Sequence, residues 1–116
     1  MKSKFDHIEV HVKDIKRYCD FLRMIFEGGD YNVISESGTS MFRSPEGIHI
    51  EVKKKKSDDL SYESGFCNPC LRRSEARAFI ATLGFPIKKQ LETPEGTVYF
   101  FDDHEGVTWH VKERKE

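Results

Sequence analysis

The chain has 116 residues, with 19 Lys and Arg against 20 Asp and Glu, so its net charge of −1 offers no field of one sign to attract nucleic acid or an anionic membrane. A chain of this length buries roughly two-thirds of its unfolded surface, which predicts one core and a single domain spanning 1–116. No apolar run approaches the about 20 residues that cross a bilayer, the N-terminal MKSKFDHIEV lacks the apolar centre of a signal peptide, and the three cysteines lack the spacing of a disulfide scaffold; a cytoplasmic protein with reduced thiols is expected.

In chain order, Phe5 to Val12 sets Phe5, Ile8, Val10 and Val12 against His7, Glu9 and His11 once past Asp6, the period-two pattern of a strand with one apolar and one ionisable face. Asp14 then precedes a stretch in which Ile15, Tyr18, Cys19, Leu22, Ile25 and Phe26 recur at helical spacing, closed by Gly28-Gly29 as a left-handed stop. Three β-prone runs follow, YNVIS, TSMF and GIHIEV, separated by Ser37-Gly38 and by Ser44-Pro45-Glu46-Gly47. Lys53 to Glu63 is charged and aperiodic, a connector whose lysines are read as solvated.

The second half repeats the order. GFCNPCLR reads as a strand, Ser74 as the cap of a helix with Ala76, Phe79, Ile80 and Leu83 on its apolar stripe, and Gly84 as its stop. FPIKKQLE, TVYFFDD and VTWHVKE follow as strands, turned at Thr93-Pro94-Glu95-Gly96 and Asp103-His104-Glu105-Gly106. Cys19 on the helix stripe and Trp109, opposite in parity to His110, are assigned to the core. Cys67 and Cys70 have the spacing of half a zinc ribbon, but no second pair exists and residues three apart on a strand point to opposite faces.

The stretch MFRSPEGIHIEVK, Met41 to Lys53, recurs as FFDDHEGVTWHVK, Phe100 to Lys112, and places Glu51 of the first copy where the second has His110. With DHIEVHVKD opening the chain, this doubled strand, helix, three-strand order resembles the vicinal oxygen chelate superfamily, which includes glyoxalase I, bleomycin-resistance proteins, extradiol dioxygenases and methylmalonyl-CoA epimerase. The resemblance covers Phe5 to about Lys112 and implies an α+β fold of two tandem βαβββ modules forming curved mixed sheets around a cavity, commonly in a homodimer. Module one would run to about residue 56, a linker over about 57–63, and module two over about 64–116.

Carried over by position, the resemblance implies a metal site at His7, Glu51 and His110, the last standing where the family usually has a glutamate. The histidine expected to open module two is missing; its place falls near Gly65, where Cys67 is the nearest substitute, and His11 and His49 lie two residues from a proposed ligand on the same strand faces. Two imidazoles and a carboxylate suit Zn, Ni, Fe(II) or Mn and leave positions open for water or substrate. A metal so held polarises a substrate bound through neighbouring oxygens while a carboxylate, Glu51 or Glu9, moves a proton. No other cofactor is indicated. The resulting first reading is a metal-dependent glyoxalase-like lyase or isomerase acting on a small oxygen-chelating substrate. The alternatives are a non-catalytic small-molecule binder, favoured by the missing ligand, and an Fe(II) extradiol-type dioxygenase. A glutathione-derived substrate would need basic residues, for which Arg43, Arg72 and Arg73 are available.

Overall fold

The computed structural model describes residues 5–55 and 69–113, and the chain divides into two compact units, Met1–Phe66 and Cys67–Glu116. In the first, β1 (Ile8–Val12) leads into α1 (Ile15–Ile25), followed by β2 (Asp30–Val33), β3 (Ser40–Arg43) and β4 (His49–Lys54). In the second, β5 (Cys70–Arg73) leads into α2 (Ala76–Leu83), followed by β6 (Lys89–Thr93), β7 (Gly96–Asp102) and β8 (Thr108–Glu113). Each unit is one four-stranded mixed sheet of the same topology, β1-β4-β3-β2 and β5-β8-β7-β6, with the first strand parallel to the last and all other pairs antiparallel. The expected pair of βαβββ modules is therefore present, each with its helix as the crossover that a parallel pair requires.

The alternation of the sequence decides the two faces of each sheet. In module one Val10, Val12, Phe42, Ile50 and Val52 are buried together with Tyr18, Cys19, Leu22 and Ile25 of α1. Cys19 is wholly buried, and burial pushes its thiol up to about 11, so it packs as a small apolar side chain. In module two the core holds Trp109, Val111, Phe101 and Val107 with Ala76 and Ile80 of α2, while Val98, also buried, stands opposite Lys112 on the other face, and Phe85 stacks on Phe101 at 5.3 Å. No helix among the described residues is long and apolar enough to cross a membrane.

The repeated turns match bond for bond. Gly47 N–H donates to the Ser44 carbonyl at 2.9 Å, and Gly106 N–H to the Asp103 carbonyl at 3.0 Å. The buried Ser44 hydroxyl accepts from Ile48 N–H at 3.0 Å, and the buried Asp103 carboxylate from Val107 N–H at 3.0 Å. Asp103 also accepts from Glu105 N–H at 2.8 Å and from Trp109 Nε1–H at 2.9 Å, so the indole assigned to the core has its one donor satisfied there.

Three local expectations are corrected. Ser74 does not cap α2: the N-cap is Glu75, in the left-handed region at φ 53° and without a side-chain cap bond. The first helical N–H, of Ala76, instead donates to the Glu113 carboxylate of β8 at 3.0 Å, a tertiary cap that no local pattern announces. The stop of α1 begins one residue before the glycines, with Glu27 at φ 55°. Lys53 and Lys54 belong to β4 and not to a connector; Ser57 to Glu63 lie outside the described residues, as do Gly65 and Cys67.

Candidate metal and ligand face

In both modules the sheet face turned away from the core carries the ionisable side chains, because ladder partners share a face and alternate residues oppose it. In module one the β1–β4 register sets Glu9 opposite Glu51 and His11 opposite Lys53, while β3 adds Met41 beside Glu51 and Arg43 beside His49. Glu9 accepts from His11 Nε2 at 2.7 Å and pairs with Lys53 Nζ at 3.0 Å, and the same ammonium is 3.4 Å from Glu51. The His11 bond first, and Lys53 second, pull the Glu9 carboxyl down to about 2. Glu51 is the more enclosed of the two, with 16% of its side chain exposed against 39% for Glu9. Both carboxylates hold Lys53 protonated, raising its pKa.

His7, one residue before β1, is close enough to be influenced by Glu51 and Glu9, but its main partner is Asp6, whose carboxylate lies 2.7 Å from Nδ1 and raises the imidazole pKa. With a carboxylate on Nδ1, the Nε2 nitrogen is the one left to bind a ligand. His49 lies on the same sheet face as Glu51. Module one therefore brings His7, Glu9, His11 and Glu51 to one end of a sheet face, together with a lysine read from the sequence as solvated. The signal for Lys53 was its parity with Glu51, masked by the run of lysines that follows it.

In module two the equivalent ladder sets His110 opposite Cys70 on one side and Phe100 on the other. The His110 ring stacks on Phe100 with centroids 5.1 Å apart, and its Nδ1 is buried with no hydrogen-bond partner among the described residues. Burial lowers its pKa, favouring the neutral imidazole. Cys70 is exposed on its strand; its thiol contacts the Leu71 carbonyl at 3.7 Å, and partial desolvation of the sulfur raises its pKa.

Cys70 pairs with His110 as Glu9 pairs with Glu51. The place expected for the second-module histidine, near Gly65, lies outside the described residues, and the sequence itself has no histidine there. Among the described residues no group of three or more His, Cys, Asp or Glu forms a cluster that would hold a metal.

Over 99% of its length the chain superposes on a mutant of the fosfomycin resistance protein FosX from Listeria monocytogenes in complex with Mn(II) and 1S,2S-dihydroxypropylphosphonic acid, covering 93% of that chain with a TM-score of 0.74 at 21% identity. The fold is that of the vicinal oxygen chelate superfamily. A glyoxalase, bleomycin resistance and dioxygenase domain protein from Frankia matches the whole chain, covering 95% of its own, with a TM-score of 0.72 at 14% identity. An integron cassette protein from the V. cholerae mobile metagenome matches 99% of the chain, covering 98% of its own, with a TM-score of 0.66 at 16% identity. No family sequence profile matches the chain, and no curated protein matches it. The likeness to vicinal oxygen chelate proteins is thus one of fold, while Glu51 and His110 keep equivalent ladder positions in the two modules.

Proposed function

We propose that the protein is a metal-dependent enzyme acting on a small oxygen-chelating molecule, with His7, Glu51 and His110 supplying ligands to a divalent ion. The observation that carries this reading is His110: a buried imidazole nitrogen without a hydrogen-bond partner, kept neutral by desolvation, at the position equivalent to Glu51. An unpaired buried nitrogen costs about 1–3 kcal/mol, a cost that metal ligation would remove. Crystals of FosX containing Mn(II) support a divalent ion on this fold.

Two imidazoles and one carboxylate are a suitable donor set, and Asp6 on Nδ1 of His7 supplies the outer carboxylate that fixes a ligating imidazole. When bound, the ion would act as a Lewis acid towards the substrate's oxygens. Proton transfer falls to Glu51 in preference to Glu9. A carboxyl drawn down to about 2 by His11 and Lys53 is a poor proton acceptor near neutral pH, and that bond engages Glu9 in holding its neighbours. The reaction class is that of a glyoxalase-like lyase or isomerase.

Lys53 favours the second reading, a non-catalytic small-molecule binder. Its ammonium already neutralises both Glu9 and Glu51, as a metal would, and module two has no histidine near Gly65, where a ligand is expected.

The readings separate on metal content and affinity, measured on the intact chain and on His7→Ala, Glu51→Ala and His110→Ala. The enzyme reading expects near-stoichiometric binding of Zn, Ni, Mn or Fe(II), lost in all three variants. No binding at micromolar metal by the intact chain overturns it and leaves the binder.

A further inference from the structure

Lys53 and Lys112 occupy the same position of the repeated segment, two residues after Glu51 and His110, and their ladders treat them differently. Lys53 has two carboxylates on its own sheet, Glu9 and Glu51. In module two the matching positions are Cys70 and His110, neither carrying negative charge, and the residue directly opposite Lys112 is a second cation, Arg72. Lys89, whose Nζ lies 5.4 Å from the Phe100 ring centre, adds a third on the same face. Only 19% of the Lys112 side chain is exposed. An ammonium so enclosed loses much of its hydration and requires an anion beside it.

That anion comes from the β6–β7 turn. Glu95, with 68% of its side chain exposed, reaches across so that one carboxylate oxygen bonds Lys112 Nζ and lies 3.8 Å from Arg72 Nη2. The second distance is too long for a hydrogen bond, so the guanidinium takes part only through its charge. Glu95 keeps most of its side chain in solvent and meets Arg72 through charge alone, so it fills the place between the two cations incompletely. A free oxyanion, able to meet the ammonium and the planar guanidinium together, makes charge-assisted bonds to both.

We propose that Arg72 and Lys112 form a binding site for the terminal oxyanion of a small-molecule ligand, occupied in the ligand-free protein by Glu95 as an internal substitute. The site assigns an anionic character to the ligand, with phosphate, phosphonate or carboxylate as the group recognised. It lies within module two and needs no metal, so its test is independent of the ligand set proposed for the ion.

The experiment titrates the full chain, treated with EDTA, with inorganic phosphate, and follows backbone amide shifts of β5 and β8 by NMR. Saturable binding is expected. Glu95→Gln removes the competing carboxylate and tightens binding by about fivefold, the equilibrium equivalent of one exposed ion pair. Arg72→Met and Lys112→Met each weaken it by about tenfold, as the loss of a charge-assisted bond requires. Thermal unfolding checks that the variants fold; Arg72 is 63% exposed, so Arg72→Met provides the test even if Lys112→Met does not fold. Whichever of phosphate and acetate binds more tightly assigns the group as tetrahedral or planar. Absence of saturable binding in Glu95→Gln, or equal affinity in Arg72→Met and the intact chain, overturns the proposal.

Discussion

Glu9 and Glu51 stand directly opposite each other across the parallel β1–β4 ladder, and the Lys53 ammonium lies 3.0 Å from the first and 3.4 Å from the second. Two carboxylates at this spacing repel unless a cation or a shared proton intervenes, and in this sheet Lys53 is the cation.

The first prediction concerns this group. The folded Glu9 pKa, about 2, is below its ordinary 4.5, so its contribution to stability is complete above about 4.5 and is lost as pH falls towards 2. His11 is the larger cause and Lys53 the smaller. His11→Ala should therefore raise the Glu9 pKa more than Lys53→Met does, both moving it towards 4.5, with carboxyl carbon shifts followed by NMR. An unchanged Glu9 titration in His11→Ala would show that the 2.7 Å bond is not the cause.

Much of this arrangement was legible beforehand, and what was not has identifiable causes. Alternation gave the faces of β1, β4 and β8, and the two EG turns gave the repeat, because period and turn chemistry are local. Glu51 and His110 could be placed as equivalents for the same reason. Lys53 was hidden in a run of like charge whose next members are strand end and connector. The α2 cap was hidden because its acceptor, Glu113, lies far along the chain.

A second prediction follows from the paired turns. Asp103 accepts from three donors, including the buried Trp109 indole and Val107 N–H, whereas Ser44 accepts from Ile48 N–H. Asp103→Ala should cost about 2–4 kcal/mol and Ser44→Ala about 1 kcal/mol, because each stranded buried donor adds its own desolvation penalty. Urea unfolding of the full chain measures both. Equal costs would mean that the Trp109 bond contributes nothing to stability.

The glycines supply a third. Gly29, at φ +96°, has no room for a side chain: an added Cβ would lie 2.5 Å from the Arg43 carbonyl oxygen and 2.8 Å from the Phe42 ring. Gly106, at φ +84°, meets nothing within 4 Å. Gly106→Ala therefore carries only the left-handed backbone cost of about 1–2 kcal/mol, while Gly29→Ala adds a clash that displaces the β2–β3 pair or the Phe42 ring, for a total above about 3 kcal/mol. The comparison separates conformational cost from packing cost, and a smaller loss at Gly29 would show that the helix-to-β2 turn yields easily.

The last prediction isolates His110 from any metal. Its pKa is lowered from 6.5 by burial, so the unfolded chain takes up a proton at a higher pH than the folded protein. The neutral ring thus contributes stability above about pH 6.5 that is lost as pH falls through the folded value. Phenylalanine matches the ring's shape against Phe100, on which His110 stacks at 5.1 Å, and carries no nitrogen to leave unpaired. In EDTA, His110→Phe should equal or exceed the intact chain in thermal stability at about pH 8 and gain on it further at about pH 5.5, where protonation of the native histidine favours unfolding. A difference between the two proteins that does not change with pH would mean that the His110 ring is reached by water and takes its proton without hindrance. The buried nitrogen on which the metal reading rests would then have a solvent partner.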